Sequence, residues 1–150
     1  IARTTFPGRH LVVVCGDTGA VKSSVERGKD ISGETLVDSF VIPNVHEDVI
    51  PAMSGTSICP PVDALGIIET YTVAACILAA DAAAKSGQVS LIEVRTAAGL
   101  AGKAFVTMTG DVGPVRSSVE AGVSGVGESG PVLSHIVIPS PSEGLKAHLL

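Results

Sequence analysis

A chain that repeats itself is constrained first by the unit it repeats. Here Gly16-Asp17-Thr18-Gly19-Ala20-Val21-Lys22-Ser23-Ser24-Val25-Glu26 returns as Gly110-Asp111-Val112-Gly113-Pro114-Val115-Arg116-Ser117-Ser118-Val119-Glu120. The match runs back to Gly8 over Gly102 and forward to Gly33-Glu34 over Gly127-Glu128. After a small change in length, Val41-Ile42-Pro43 falls on Val137-Ile138-Pro139.

Each copy reads as an apolar run (Leu11 to Cys15; Phe105 to Thr109), a G-D-x-G turn, and a helix with Val21 and Val25, or Val115 and Val119, on one face. Asp17, Thr18 and Asp111 suit helix starts, while Gly28 and Gly122 suit helix ends. A β-rich run follows in each copy, Leu36 to Ile42 and Val132 to Ile138, closed by proline. A short helix is then expected around residues 46–53 and 142–149. The second copy also has a front half: a strand over Ala64 to Glu69, a helix from about Thr72 to Ser86 stopped by Gly87, and a strand over Val89 to Arg95. The first copy lacks all of it. Residues 1–53 therefore read as the back half of a first domain, 54–63 with Pro60-Pro61 as a linker, and 64–150 as a complete second domain.

A half domain leaves apolar side chains uncovered, at about 1.5–3 kcal/mol each. Several of these approach a whole domain's stability of about 5–15 kcal/mol. The expectation is that about 40 further residues, the length of two strands, a helix and their connections, are lost by truncation or processing or carried on another chain.

The 150 residues are 45% hydrophobic but only 3% aromatic, with no Trp, so the core must be built from closely packed Ala, Val, Ile and Leu. A net charge of −5 and the lack of any Lys/Arg run argue against a nucleic-acid partner. Charged residues make up 17%, below the usual level of about 25%, which points to surface buried in an oligomer. The longest apolar stretch, Val73 to Ala80, falls short of the roughly 20 residues that span a bilayer, so no membrane partner is expected. Ile1 to His10 has no apolar run of the secretory kind. Cys15, Cys59 and Cys76 show no C-x-x-C spacing and fit a reduced, cytosolic setting.

Several constellations carry little chemistry. The G-D-x-G helix starts could hold an anion on free N–H groups, but they lack the lysine and spacing of a phosphate loop, and capping is the better reading. His10, His46, His135 and His148 are scattered, without a ligand pair at helical spacing. Ser23-Ser24 and Ser117-Ser118 have no histidine near in sequence to activate them. Cys76 reads as a small core side chain, and neither Cys15 nor Cys59 has a visible activating neighbour.

Ala64-Leu65-Gly66-Ile67-Ile68-Glu69-Thr70, then Ala79-Ala80-Asp81-Ala82-Ala83-Ala84-Lys85, the G-D-V-G helix and Val137-Ile138-Pro139 together resemble the bacterial microcompartment shell domain. With a partial copy in front, and with Gly33-Glu34-Thr35-Leu36-Val37-Asp38-Ser39 and Val73-Ala74-Ala75-Cys76 as further matches, the chain resembles a tandem-domain shell protein of the propanediol-utilization type.

The resemblance implies an α/β (α+β) domain with an antiparallel sheet flanked by helices, and a trimer that mimics a hexameric tile. It also implies that the loop after each domain's second strand surrounds a central pore. Those loops are Thr4, Thr5, Phe6, Pro7 and Gly8 in the first copy, and Thr96, Ala97, Ala98, Gly99, Leu100, Ala101 and Gly102 in the second. They are preceded by Arg3 and Arg95 and followed by Arg9 and Lys103, which would favour small neutral or anionic metabolites; the alternative is four solvated bases beside surface loops. Some relatives place a cysteine before Pro-Gly in the first loop, where three subunits hold an iron–sulfur cluster. Phe6 stands there instead, so no cofactor is expected, and three such rings would make an apolar constriction. Lys85 matches the family's edge lysine, although a lysine near a helix C-terminus is also favoured by the helix dipole. The family's edge arginine is replaced by Asn44 and Ser140.

The expected function is thus a non-catalytic tile of a microcompartment shell in the cytoplasm, with other shell proteins as partners and metabolites, or electrons, crossing its pore. The alternative is a small-molecule-binding regulatory α+β protein with an anion site at its helix N-termini.

Overall fold

The computed structural model of the chain describes residues 2–5, 8–96, 103–127 and 132–149, with the backbone alone at Arg3 and Thr5. In chain order the elements are β1 (Ala2–Thr5), β2 (Arg9–Val12), α1 (Thr18–Ser32), α2 (Val49–Ser54), β3 (Ala64–Thr70), α3 (Val73–Ser86), β4 (Ser90–Thr96), β5 (Ala104–Gly110), α4 (Val112–Val126), β6 (Val132–Ile138) and α5 (Glu143–Lys146), with a 3-10 turn at Gly33–Thr35.

The second copy is an α+β unit with a four-stranded antiparallel sheet in the order β4-β5-β3-β6. Alternation along β3 sets its two faces. Ala64 and Ile68 join the main core with Val106 and Met108 from β5 and Val115 and Val119 from α4. Leu65 turns the other way, into a small cluster with Val62 and Ile92 that Ile138 and Leu149 partly cover. The near absence of large aromatics shows in how closely α3 and α4 meet. A Cβ added to Gly122 of α4 would stand 2.9 Å from the Ala79 carbonyl oxygen and 3.3 Å from the Ala83 Cβ, so glycine is what lets the alanine face of α3 approach.

The first copy keeps the same local signals without the same burial. Val21 and Val25 on α1 occupy the repeat positions of Val115 and Val119, which are 0% and 1% exposed, yet no residue of α1 is buried. Val12 is 63% exposed where its counterpart Val106 is fully covered. In the second copy β3 and α3 do the covering; the first copy has no counterpart to either among the described residues. An open groove of about 630 Å³, lined by Leu11, Val21, Val25, Phe40 and Ile42, lies in their place.

Three expectations need correction. Leu36 to Ile42 is not a strand, because its counterpart β6 exists by pairing with β3, and the first copy offers no equivalent ladder partner among the described residues. Phe40 and Ile42 pack against the main core instead. Gly28 and Gly122 do not end their helices. α1 and α4 run on to Gly33 and Gly127, where φ values of 49° and 54° suit glycine and the cap N–H groups donate to the Lys29 and Ser124 carbonyls. The first copy also retains one front-half element: β1 pairs with β2 as β4 pairs with β5.

Candidate functional site

Two hairpins carry the candidate loops. In the first copy the register Ala2↔Val12 to Thr5↔Arg9 closes on residues 6–8, and Thr4 Oγ1 and His10 Nδ1 hydrogen-bond across the strands at 3.2 Å. Thr4, Gly8 and Arg9 are exposed, and Gly8 holds a φ of 69° that suits a tight reversal. In the second copy Arg95↔Phe105 and Thr96↔Ala104 are the last pairs before the loop, with Thr96 buried and Lys103 half-buried. Phe6, Pro7, Ala97, Ala98, Gly99, Leu100, Ala101 and Gly102 lie outside the described residues, as does the side chain of Arg3. The Phe6 constriction therefore remains an expectation.

Arg95 has local partners that sequence reasoning missed. Its Nε donates to Glu93 Oε1 at 2.8 Å, and its guanidinium carbon stands 5.3 Å from the centre of the Phe105 ring. Both partners follow from β geometry, since residues two apart share a face and position 105 is the cross-strand neighbour of 95. The alternation around Arg95 was the available signal.

Lys85 lies in the last turn of α3, which starts where Thr72 Oγ1 accepts the Ala75 N–H at 3.1 Å and ends at Gly87. Its Nζ donates to Asp81 Oδ2 at 2.6 Å, one helical turn back, and its side chain is 38% exposed. The other carboxylate oxygen of Asp81 accepts the backbone N–H of His46 at 2.8 Å. Thr72 Oγ1 also donates to Asp38 Oδ2 at 3.3 Å. The back end of the first copy is thus held to α3 at both ends of the helix. The Asp-x-x-x-Lys spacing was readable beforehand; the reach of His46 across the repeat was not.

The cysteines offer a poor set of metal donors. Burial pushes the Cys76 thiol up to about 12, against a partial lowering by its hydrogen bond to Thr70. Burial, aided by nearby Asp48, also raises Cys59, whose Sγ donates to the Leu91 carbonyl at 3.2 Å. Cys76 is enclosed in the core and the Cys59 thiol is engaged by the Leu91 carbonyl, while Cys15 is exposed in a different part of the chain. Among the described residues no three His, Cys, Asp or Glu side chains gather as a metal site, and no helix is long and apolar enough to cross a membrane.

With this geometry in view, a family profile described as the BMC domain matches residues 1–45 and again 64–141. The microcompartment shell protein PduT of Citrobacter freundii is 41% identical over 97% of this chain and 79% of its own length. PduA of Salmonella typhimurium LT2, also a microcompartment shell protein, is 38% identical over 53% of this chain and 82% of its own. The crystal structure of a microcompartment protein from Desulfitobacterium hafniense DCB superposes with a TM-score of 0.90 at 48% identity, covering 98% of this chain and 82% of that one.

Proposed function

The chain belongs to the BMC-domain family of microcompartment shell proteins, and from that premise we propose that it is a structural tile of a microcompartment shell in the cytoplasm rather than an enzyme. The observation that carries this reading is the repeat itself, since two family segments fall on one chain. Three such chains place six domain copies around an axis, and the tile is a homotrimer that joins other shell proteins. Exposed sheet edges support an assembled state: β4 and β6 flank the sheet, and Ser134, His135 and Ile136 on β6 are exposed.

The pore reading is the finer part of the proposal. The β1–β2 and β4–β5 loops line the axis, and their flanking bases Arg3, Arg9, Arg95 and Lys103 favour small neutral or anionic metabolites over cations. Phe6 supplies no thiolate where some relatives have a cysteine, and Cys15, Cys59 and Cys76 do not make up for it, so no iron–sulfur cluster is assigned. Lys85 is the edge contact.

Electron microscopy of the purified protein tests the tile. Flat pseudohexagonal discs or sheets are expected. Dispersed monomers that bind phosphate saturably at a helix N-terminus would overturn the tile in favour of a regulatory binding protein. An iron assay on protein purified without oxygen tests the absence of a cluster, and stoichiometric iron and sulfide would reverse that assignment.

A further inference from the structure

The last segment of each copy folds in the same way and is covered differently. Val49 in α2 and Leu145 in α5 stand at one repeat position, by the spacing that relates Val41-Ile42-Pro43 to Val137-Ile138-Pro139. The two helices open alike: the Val49 N–H donates to the His46 carbonyl at 3.1 Å, and the Leu145 N–H to the Ser142 carbonyl at 2.9 Å. Burial separates them. α2 packs against β4 and α3 of the second copy, where Val49 and Ala52 are 0% and 1% exposed. α5 buries no residue, and Leu145 and His148, in the places of Val49 and Ala52, are exposed. Leu149 ties the segment to its own copy, on the Val62, Leu65 and Ile92 cluster, and the side that carries Leu145 and His148 stays uncovered.

The surface that matches α5 is open as well. Ala52 and Met53 of α2 border one cleft with Val94 and Thr96 of β4. By register, Ala2 and Thr4 of β1 correspond to Val94 and Thr96, since their partners Val12 and His10 repeat as Val106 and Ala104. Val94 and Thr96 are buried, whereas Ala2 and Thr4 are exposed. One chain therefore holds an occupied joint, the first-copy tail on the second copy, together with both halves of an unoccupied one. Those halves lie on different surfaces, so two chains join through them head to tail, the kind of contact that closes into a ring.

The joint between chains differs in chemistry from the joint within the chain. His148 replaces Ala52, and docking it buries a polar ring where α2 has a methyl group. Lys146 replaces Ile50, and a lysine loses more rotamer freedom on docking than an isoleucine does.

We infer that the side of α5 carrying Leu145 and His148 docks on the β1 edge of a second copy of this chain, and that this joint, more polar than its counterpart within the chain, is where the tile comes apart on dilution. The inference rests on the homotrimer proposed above and names its contact surface.

Sedimentation of the full chain across a dilution series gives the concentration at which the trimer dissociates. Leu145→Asp is expected to raise it tenfold or more, and the fold survives because α5 buries no residue. His148→Ala, which copies the residue of the in-chain joint, is expected to lower it several-fold. A photo-cross-linker attached at Leu145→Cys in a Cys15→Ser background, with labelled and unlabelled chains mixed, is expected to mark the β1–β2 hairpin of a second chain. A parent chain that stays monomeric at every concentration would overturn the tile itself. A trimeric parent whose two variants dissociate as it does, or cross-links confined to one chain, would overturn the α5 joint alone.

Discussion

The carbonyl oxygen of Ala79 on α3 stands 2.9 Å from the place a Cβ on Gly122 of α4 would occupy, and the Ile68 Cδ1 stands 2.6 Å from it. The repeat partner of Gly122 is Gly28 on α1, where an added Cβ would meet nothing within 4 Å. One sequence position thus has two packing environments, because α3 lies beside α4 and no counterpart of α3 lies beside α1 among the described residues.

Alanine at the two positions should therefore have opposite effects. At Gly122 the clash is with backbone, which cannot turn aside, and overpacking of about 1–3 kcal/mol outweighs the helix-propensity gain of about 1 kcal/mol. At Gly28 only the gain applies, about 0.5–1 kcal/mol. Thermal unfolding of Gly122→Ala and Gly28→Ala is expected to show a lower midpoint for the first and an equal or higher one for the second.

The helix caps divide in the same way. Asp17 accepts from both Gly19 N and Ala20 N at 2.9 and 3.2 Å, while Asp111 makes no side-chain cap bond. Asp17→Ala should cost about 1 kcal/mol of local stability, and Asp111→Ala less. Since α1 buries no residue, the loss belongs to α1 alone. Hydrogen exchange in Thr18–Ser32 should quicken in Asp17→Ala while the β5 amides keep their protection.

Legibility in the sequence followed where burial was complete. The helix from Thr72 to Ser86, its stop at Gly87 and the strands at 64–69 and 89–95 were readable because periodicity, cap and partner agree there. Leu36 to Ile42 misled, since its β-rich composition reports a fit to a sheet surface and cannot say whether that surface is present. Gly28 and Gly122 misled in another way. They looked like stops, but Gly122 serves close helix packing, and the true stops at Gly33 and Gly127 were visible only as part of the repeat. Lys85 was legible as a residue type at a motif position. Its clamp to His46 was not, because a contact between residues so far apart in sequence leaves no local spacing to read.

Cys76 gives a pH dependence with a definite sign. Burial raises its thiol from 9.0 to about 12 in the folded chain. The unfolded chain therefore releases this proton first, and between those two values the unfolded state binds fewer protons, so stability falls as pH rises. The slope from this group approaches about 1.4 kcal/mol per pH unit at most. Below pH 8 the group contributes no slope. Denaturant midpoints measured from pH 8 to 10.5 should fall less steeply in Cys76→Ala than in the parent chain, and parallel curves would remove the thiol as the cause.

Glu93 sets how much of the Arg95 charge the second loop can use. The two side chains are paired at 2.8 Å, at 51% and 35% exposure, and Phe105 carries the guanidinium from the neighbouring strand. An exposed pair of this kind is worth about 0–1 kcal/mol to stability, so either partner can be changed without loss of fold. On the pore reading proposed above, its effect on anion passage would exceed its effect on folding, because the carboxylate cancels the base in the field that a passing anion would meet. Glu93→Gln should therefore raise anion flux through reconstituted tiles, and Arg95→Gln, which leaves the carboxylate uncompensated, should lower it. Both differences should shrink as salt rises towards 1 M, where charges are screened over about 3 Å. Flux measured across a salt series checks the sign and the screening together. Equal flux in both variants at low salt would place the Arg95 pair away from the conducting path.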